Sequence, residues 1–502
     1  MLAAQRTPDD PAIIDVTAGL TLSWAEFDAA VTAEAARLRA AGVGPGDRVV
    51  VLLGNGAAFC VALFGALRAD AVGVPIGPTA APRELEIIAR ECTPTVIVTE
   101  PGGRLATALA PGLAGRWLPP PDVRVHPASG SGADSSVSGA SDRSRGGEAI
   151  ALLIHTSGTT GVPRGVQLSH RALLANREQA AAVRPSPVTP VDRVLLTLPL
   201  FHVFGLGAGL LQVCWAGATV VLTERFEPEQ VLDTLVRHRT SVIAGVPSMY
   251  RALLDLPADR LREAFAGVRL CTSGGAPLPA GWLADFRAAT GLDIFEGYGL
   301  TETGPVLTST LVGGAAKPGS VGRPLPGVEL RLVDSDGVPL SEREPDEQDD
   351  LSDPAEDTGL VSVRGPNLFS GYWPDGWGGP DGEGWFRTPD VGYLDADGDL
   401  HLVDRSSDLV IVSGFNVYPR EIEQVLGELD AVVEAAVVGI PDERSGEAVK
   451  AVVVRAEGSE LSEEDVRAHC TARLARFKVP AVITFVDALP RTPTGKVARR
   501  QL

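Results

Sequence analysis

The first hundred residues alternate amphipathic segments with short apolar runs. Residues 24–43 are rich in alanine with apolar side chains at helical spacing, and after a Pro-Gly-Asp turn residues 48–54 are almost entirely apolar. A second helical pattern near residues 57–69, the apolar run 72–76, a further helix and the run 95–99 continue the alternation. Because such repetition is typical of strands joined by crossover helices, we predict an α/β fold.

Two strongly polar segments interrupt the pattern. Residues 127–147 consist mainly of Ser and Gly, and residues 341–358 are acidic. Neither segment has enough large apolar side chains to offset the entropy lost on ordering, so we interpret both as surface loops. A docking role is the alternative for the acidic segment.

The pattern changes near Asp404. Residues 418–429 and 462–477 have helical spacing, and three apolar runs of strand length occur between and after them. About a hundred residues of this kind predict a small α+β domain after a larger N-terminal one. A length of 502 residues also favours more than one domain, because a single hydrophobic core stops growing well below that size.

Charge and cysteine content narrow the class of protein. The formal net charge of −20 disfavours nucleic acid and anionic membranes as partners. The five cysteines, at positions 60, 92, 214, 271 and 470, are dispersed, which favours reduced thiols and a cytoplasmic location. The uncharged stretch 204–221 is long enough for a membrane span, but its glycines and strand-like end favour a buried core element, so no stable membrane insertion is expected.

The strongest chemical signal lies in residues 154–176. An apolar strand leads into a loop of Ser, Thr and Gly that contains one cation, Arg164, and a helix is predicted to begin near Ser169. Glycines allow backbone N–H groups to approach phosphate oxygens, and hydroxyls add further donors. The segment lacks the Gly-Lys-Ser/Thr of a Walker loop. By itself it predicts phosphate binding, with a hydroxyl-rich turn as the alternative.

Three further segments supply groups that suit a nucleotide. In residues 295–305, Glu302 can ligate a hard cation such as Mg²⁺, Thr301 can contact phosphate and Tyr298 can stack on a base. Asp390 and Arg405 lie on either side of a predicted hairpin and can bind a ribose. Lys496 lies in a Pro/Gly-rich turn, where a lone lysine is ordinarily a solvated surface residue.

These four segments, in this order and over nearly the whole chain, resemble the adenylate-forming superfamily of acyl-CoA synthetases, luciferases and peptide-synthetase adenylation domains. The resemblance implies a large multi-sheet N-terminal domain, residues 1–403, that binds AMP and the acyl group, and a small mobile α+β domain, residues 404–502, that carries the catalytic lysine. It also implies ATP, Mg²⁺ and coenzyme A as cofactors and a small carboxylic acid as substrate. The segments around 198–206 and 404–426 are most similar to fatty-acyl and related CoA ligases.

The resemblance assigns roles residue by residue. It gives catalytic roles to Lys496, Thr301, Glu302 and His202, with Glu302 as the metal ligand and Ser407 at the hinge between the two domain orientations. Candidates for binding the nucleotide or coenzyme A occupy the matching motifs: Thr156, Ser157, Gly158, Thr159, Thr160, Gly161, Arg164, Gly165, Gly275, Ala276, Pro277, Glu296, Gly297, Tyr298, Gly299, Asp390, Arg405, Ser413, Gly414 and Phe415. The acyl pocket is expected to be lined by small or mainly apolar residues: His202, Phe204, Gly207, Met249, Ser273, Gly274, Gly297 and Val306.

Four positions qualify what the resemblance implies. Gly297 stands where malonate-activating relatives have an Arg, which argues for an uncharged alkyl or aryl acid rather than a dicarboxylic one. Arg164 replaces the usual Lys of the phosphate loop and keeps its charge. Pro389 replaces a Gly before the ribose-binding Asp and fixes φ there, and Ser407 replaces the usual Lys or Asp of the hinge.

Three functions follow as hypotheses. The first is an acyl-CoA ligase that forms an acyl-adenylate and then a thioester with coenzyme A. The second is an acyl-AMP ligase that delivers the acyl group to a separate acyl carrier protein. The third is a non-catalytic adenylate-binding protein, whose turnover has been lost through the changes at Pro389 and Ser407.

Overall fold

A computed structural model describes residues 2–101, 116–123, 146–157, 163–342, 358–405, 410–412, 415–442, 446–474, 476–492 and 496–502. The chain divides into two compact units. The first comprises residues 1–329 with 364–386, and the second comprises residues 330–363 with 387–502. The predicted division into functional domains at residues 403 and 404 stays a prediction.

The first unit contains a nine-stranded and a six-stranded sheet. Its strands are β1 (Pro11–Asp15), β2 (Leu20–Ser23), β3 (Arg48–Leu52), β4 (Val72–Pro75), β5 (Val96–Thr99), β6 (Arg116–Leu118), β7 (Ile150–Ser157), β8 (Pro163–Ser169), β9 (Arg193–Leu196), β10 (Thr219–Leu222), β11 (Val242–Gly245), β12 (Leu270–Gly274), β13 (Ile294–Gly299), β14 (Val306–Ser309) and β15 (Arg323–Pro324). The larger sheet has the order β15-β14-β13-β12-β11-β9-β10-β1-β2, and the smaller has the order β6-β5-β3-β4-β7-β8. Most neighbouring strands are parallel, which confirms the predicted α/β fold.

Helices cover the sheets of the first unit and bury their apolar sides. Among the described residues, the α-helices of this unit are Leu2–Arg6, Trp24–Ala40, Ala57–Arg68, Pro82–Cys92, His170–Ala182, Gln212–Ala216, Pro228–His238, Pro247–Leu254, Ala258–Phe265, Ala280–Thr290 and Thr310–Gly313. The predicted helix after residue 24 begins with a capping box, in which Ser23 Oγ accepts from Glu26 N and the Glu26 carboxylate accepts from Ser23 N. The strands β3, β4 and β5 are buried along almost their whole length, as their continuous apolar runs predict.

The uncharged stretch 204–221 is part of the core. It forms a π-helix, Phe204–Leu211, then the α-helix Gln212–Ala216 and strand β10. Leu206, Leu210 and Val213 are fully buried, which confirms the prediction of a core element. Within the described ranges, no helix has both the length and the apolar character needed to cross a membrane.

Two smaller sheets are built mainly from residues of the second unit. Their strands are β16 (Glu329–Val333), β17 (Gly359–Arg364), β18 (Trp385–Leu394), β19 (Leu400–Arg405), β20 (Val410–Val412), β21 (Phe415–Val417), β22 (Val432–Asp442), β23 (Gly446–Arg455) and β24 (Val482–Val486). Strands β16 to β19 form one sheet in sequence order, and β21-β20-β23-β22 form the other, with β24 paired to β23. The helices Pro419–Leu426 and Glu463–Thr471 pack on the second of these sheets, as predicted for an α+β unit.

Most of the two polar segments lies outside the described residues. This applies to 127–145 of the Ser/Gly-rich segment and to 343–357 of the acidic one. Their interpretation as surface loops stays a prediction.

Candidate active site

The predicted phosphate motif folds as a β-hairpin. Strands β7 and β8 are antiparallel, with Thr156 opposite Arg164 and His155 opposite Gly165. The helix begins at His170 with Ser169 as its N-cap, as predicted, but strand β8 separates that helix from the loop. The sequence predicted one strand, then a loop, then a helix. The structure adds a second strand, β8, between the loop and the helix. Gly158, Thr159, Thr160 and Gly161 lie outside the described residues, as does the side chain of Ser157.

Gly165 is the point at which another chain segment crosses the hairpin. Its carbonyl oxygen accepts from Trp373 N at 2.7 Å. A Cβ at this position would lie 2.8 Å from Leu153 Cδ1 and 3.2 Å from Trp373 Cβ, so a side chain here would require both neighbours to shift. Packing therefore favours the glycine of the motif at this position.

The cation of the motif lies over two aromatic rings. The guanidinium carbon of Arg164 is 5.2 Å from the ring centroid of Trp377 and 5.8 Å from that of Tyr372. Both aromatic residues were missed in the sequence analysis, although the run Phe369–Trp373 is conspicuously aromatic. At these distances the positive charge of the guanidinium is attracted to the faces of the two rings.

Tyr372 also contacts the predicted metal ligand. Its hydroxyl donates to Glu302 Oε1 at 2.7 Å, and within the described part of the chain this hydroxyl is the partner of the Glu302 carboxylate. Burial, together with the neighbouring Glu302 charge, raises the pKa of Tyr372 well above its usual range, so the hydroxyl stays a donor. A buried carboxylate that lacks a cationic partner among these residues is a suitable ligand for Mg²⁺.

A tight turn presents Thr301 and Glu302. Strand β13 ends at Gly299, and the 3₁₀-helix Thr301–Thr303 follows, with both side chains buried. A Cβ on Gly299 would lie 1.8 Å from Pro305 O, so the chain can return this closely only with glycine there. The Glu302 carbonyl accepts from Phe369 N at 2.9 Å, which ties the turn to the segment containing Tyr372.

A buried polar network supports the turn from behind. Arg177 donates to the carbonyls of Gly207 and Gly304. The side-chain amide of Asn176 donates to the carbonyl of Val306 and accepts from its N–H. Gln179 extends the network to Asn367, whose amide donates to Thr303 O. The sequence analysis missed this network, because polar residues on a helix give no sign of their burial.

Five of the eight predicted acyl-pocket residues form two groups of neighbours. A Cβ on Gly274 would be 3.1 Å from Gly297 O and 3.3 Å from Phe204 Cζ, so these three residues adjoin. A Cβ on Gly207 would be 2.5 Å from Pro305 Cδ, next to Val306.

Three other predicted residues have distinct surroundings. Met249 and Ser273 are buried, and Thr197 Oγ1 contacts Met249 Sδ at 3.8 Å. His202 Nδ1 accepts from Phe204 N at 3.2 Å, which places the proton of a neutral ring on Nε2.

Several of the predicted nucleotide-binding residues lie on strand β13 and on the turn beside it. Glu296 is buried, and its Oε2 accepts from Leu278 N at 3.1 Å, which holds the turn containing Gly275, Ala276 and Pro277 against β13. Tyr298 is half-buried opposite Thr308 on β14. The carboxylate of Glu296 therefore has a structural use, and its role toward nucleotide stays a prediction.

The predicted ribose site lies in the second unit. Strands β18 and β19 form the predicted hairpin and place Asp390 directly opposite Arg405. Asp390 is buried, and its N–H donates to Thr388 Oγ1 at 3.2 Å, so Pro389 is accommodated within the strand. The side chain of Arg405 is outside the described residues. At the hairpin tip, backbone N–H groups of Asp397 and Asp399 donate to Asp395 Oδ1, which is ordinary turn chemistry.

The predicted catalytic lysine lies in a small turn of the second unit. Lys496 N donates to Thr492 Oγ1 at 3.2 Å, and Lys496 O accepts from Thr492 N at 2.7 Å. The side chain is half-buried. Ser407, Ser413 and Gly414 lie outside the described residues, and only the backbone of Phe415 is described, in β21.

Comparisons with known proteins bear on the whole chain. The family model of the AMP-binding enzyme matches residues 2–373, and that of the AMP-binding enzyme C-terminal domain matches residues 421–496. A feruloyl-CoA synthase of Amycolatopsis sp is 35% identical over 487 residues, covering 96% of this chain and 94% of that protein. A long-chain-fatty-acid–CoA ligase of Yersinia pestis is 33% identical over 537 residues, covering 100% and 92%. ATP-bound MatB from Rhodopseudomonas palustris has a TM-score of 0.86 and 33% identity, covering 100% of this chain and 97% of that one.

Proposed function

Because the chain belongs to the AMP-binding enzyme family, we propose that it is an ATP-dependent ligase that joins a fatty or aryl acid to coenzyme A. In the first step a carboxylate oxygen of the acid bonds to the α-phosphorus of ATP, and pyrophosphate leaves. In the second step the thiol of coenzyme A loses its proton, its sulfur bonds to the acyl carbon, and AMP leaves.

One observation carries the proposal. Arg164 of the phosphate hairpin and the buried carboxylate of Glu302 both contact Tyr372. The predicted phosphate-binding cation and the predicted metal-binding carboxylate therefore contact the same residue of the first unit. This combination suits a nucleotide triphosphate, whose transfer chemistry depends on positioning and on cations near the developing charge.

The chain's own residues have separate tasks in the first step. Arg164 and the hydroxyls of the hairpin would bind the departing pyrophosphate, and Glu302 would hold Mg²⁺, which when bound supplies positive charge beside the phosphates. Lys496 would approach the carboxylate and the α-phosphate, two anions that otherwise repel each other. Asp390 and Arg405 would bind the ribose.

The pocket residues support an uncharged acyl tail. Phe204, Gly274 and Gly297 adjoin, and none of these three residues has a charged side chain. The pocket candidates of the first unit are small or mainly apolar. Feruloyl-CoA synthase and long-chain-fatty-acid–CoA ligase, both similar to this chain, have names that indicate an aryl and an alkyl acid respectively.

A cytoplasmic location is part of the same proposal. All five cysteines are free thiols, and four of them are buried. Reduced, dispersed thiols are typical of proteins that work in a reducing compartment.

Pyrophosphate release is the direct test. The protein would be given ATP, Mg²⁺ and a panel of alkyl, aryl, dicarboxylic and sulfonated acids, each with and without coenzyme A, and thioesters would be detected by mass spectrometry. We expect fastest release with alkyl or aryl acids, acceleration by coenzyme A, and an acyl-CoA product. A slow burst without thioester would instead indicate a carrier-protein acceptor, and no release with any acid would favour a non-catalytic adenylate-binding protein.

A further inference from the structure

We propose that Tyr372 and Trp377, here called the aromatic brace, position the two charged groups of the first unit that act in adenylation. In this proposal Tyr372 orients the carboxylate of Glu302, and Trp377 together with Tyr372 holds the guanidinium of Arg164. The inference rests on the proposed function and adds two positioning residues to it.

The brace is fixed by its own backbone. Tyr372 N donates to Trp377 O and Gly376 N donates to Tyr372 O, each at 2.8 Å, which closes a turn between the two rings. A Cβ on Gly371 would lie 2.0 Å from Gly376 O, so the turn is packed backbone against backbone. The ring centroids are 4.9 Å apart, and the geometry of the pair therefore follows from the turn.

The brace is also attached to the phosphate hairpin along the edge of β8. Gln167 N donates to Gly371 O at 3.1 Å, Ser370 N donates to Gln167 O at 2.9 Å, and Gln167 Nε2 donates to Tyr372 O at 3.1 Å. Together with the bond from Trp373 N to Gly165 O, these contacts extend the sheet by one short segment. The rings thus keep a fixed position relative to Arg164.

The contacts of the aromatic brace restrict the orientation of two side chains, the carboxylate of Glu302 and the guanidinium of Arg164, which we propose must be fixed for adenylation. The Tyr372 hydroxyl donates a hydrogen bond to Oε1 of Glu302, and this bond fixes the orientation of the carboxylate and therefore the position of Oε2. Hydrogen bonds of this kind to a metal-ligating carboxylate change metal affinity or activity by about 10- to 100-fold when removed. The guanidinium carbon of Arg164 lies over both rings, 5.8 Å from the centroid of Tyr372 and 5.2 Å from that of Trp377, and these contacts restrict the positions from which its N–H groups can bind phosphate.

Calorimetric titration with ATP at several Mg²⁺ concentrations tests the brace without turnover. For Tyr372→Phe, which keeps the ring and removes the hydroxyl, we expect about a tenfold higher Mg²⁺ concentration for half-maximal enhancement of ATP binding. For Trp377→Leu we expect about a threefold to fivefold weaker affinity for MgATP, because half of this ring is exposed. In an Arg164→Ala background, the effect of Trp377→Leu should fall below about twofold.

A matched control is available in the same unit. Arg364 lies over the ring of Trp385 at 4.8 Å and forms an exposed pair with Glu329, so Trp385→Leu removes a cation–aromatic contact of the same type outside the predicted site. It should leave both titrations unchanged, and circular dichroism would verify that every variant is folded. In the active enzyme, Tyr372→Phe should lower the rate of pyrophosphate release about tenfold and spare thioester formation from preformed acyl-AMP.

The outcomes separate the brace from the proposed function. An unchanged Mg²⁺ dependence in Tyr372→Phe, or an equal effect of Trp377→Leu with and without Arg164, would overturn the brace even if the wild-type protein is an active ligase. A wild-type protein that binds MgATP but releases no pyrophosphate would overturn the proposed function. The titrations would still show whether the aromatic brace positions Glu302 and Arg164, because they do not require turnover. A wild-type protein that does not bind MgATP would overturn both.

Discussion

Asp192 illustrates how a buried charge is made favourable in this fold. Its side chain is almost fully buried at the start of β9, and it accepts from Arg269 Nε at 2.8 Å, from Ser241 Oγ at 2.7 Å and from Thr189 N at 2.7 Å. Burial by itself raises the pKa of Asp192, but the hydrogen bonds from Arg269, Ser241 and Thr189 outweigh it and lower the pKa to about 2. The ionised carboxylate therefore stabilises the folded state.

Asp192→Asn should lose this stabilisation in a pH-dependent way. The pKa of Asp192 is lower in the folded state, about 2, than in an unfolded chain, about 3.9, so its contribution is complete above about pH 5. We expect a loss of roughly 2–3 kcal/mol in the free energy of unfolding at pH 7, measured by urea denaturation. The difference from wild type should shrink as the pH falls from about 5 toward 2.

Asp259→Asn is the matched control for that measurement. Asp259 is exposed and pairs with Arg262 three residues further along its helix, so its removal should cost less than about 0.5 kcal/mol. A difference between Asp192→Asn and wild type that stays constant down to pH 2 would contradict the assignment of the effect to ionisation.

At the scale of single residues, sequence motifs identified groups whose chemistry is local. Thr301 and Glu302 are neighbours in one short motif, and Asp390 is opposite Arg405 in one hairpin. Arg164 belongs to a separate motif, and it is connected to Glu302 through Tyr372 only in the folded chain. Tyr372 was missed because its partner Glu302 is 70 residues away and the bond exists only in the folded chain. The same reason applies to Trp377.

At the scale of elements, helix His170–Ala182 connects two walls of the site. Arg177, on this helix, is fully buried and donates to the carbonyls of Gly207 and Gly304 and to Gln212 Oε1. Gly207 belongs to the π-helix, and Gly304 follows the 3₁₀-helix that carries Glu302. Although burial lowers the pKa of Arg177 to about 9, the group is still cationic at neutral pH.

Arg177→Met should therefore affect both stability and activity. The substitution leaves two buried carbonyls without their donor, and we expect a loss of about 3 kcal/mol in the free energy of unfolding, measured by urea denaturation. Arg177→Lys keeps the charge but has a single nitrogen for several acceptors, so an intermediate loss is expected. Because the network supports the turn containing Glu302, the rate of pyrophosphate release should also fall.

An exposed arginine provides the comparison. Arg90 pairs with Glu86 on the surface of its helix, and Arg90→Met should cost less than about 0.5 kcal/mol. Equal losses for Arg90→Met and Arg177→Met would show that the buried network does not contribute as described here.

The elements themselves were largely predictable from apolar periodicity. Strands β3, β4 and β5 are continuous apolar runs, and helix Trp24–Ala40 has both its spacing and its capping box in the sequence. Strand β8 was missed because it begins with Pro163, Arg164 and Gly165, which favour a loop locally. Its pairing with β7 on one side and with residues 370–373 on the other overrides that local preference.

At the scale of the whole molecule, net charge and site charge oppose each other. A chain of net charge −20 repels ATP and a carboxylate at long range, so binding depends on cations that act at short range. The predicted groups are divided between the two units: Arg164 and Glu302 belong to the first, and Asp390 and Lys496 to the second. In the proposed function Lys496 acts in adenylate formation, so its loss from the second unit should affect one half-reaction more than the other.

Lys496→Ala tests this division directly. Removal of one preorganised cation should slow adenylate formation by about 10²–10³-fold, because the carboxylate and the α-phosphate then meet without compensation of their charge. Thioester formation from preformed acyl-AMP and coenzyme A involves no approach of two anions to each other at phosphorus, so it should stay within about threefold of wild type. Single-turnover assays of the two half-reactions measure both rates.

Lys478→Ala is the matched control in the same unit. Lys478 pairs with Glu421 at 2.8 Å and has no role in the proposed chemistry, so both half-reactions should keep wild-type rates. A parallel fall of the two half-reactions in Lys496→Ala, with Lys478→Ala unaffected, would show that Lys496 serves a state common to both steps. The separation of roles between the units would then be wrong, while the ligase activity itself would stand.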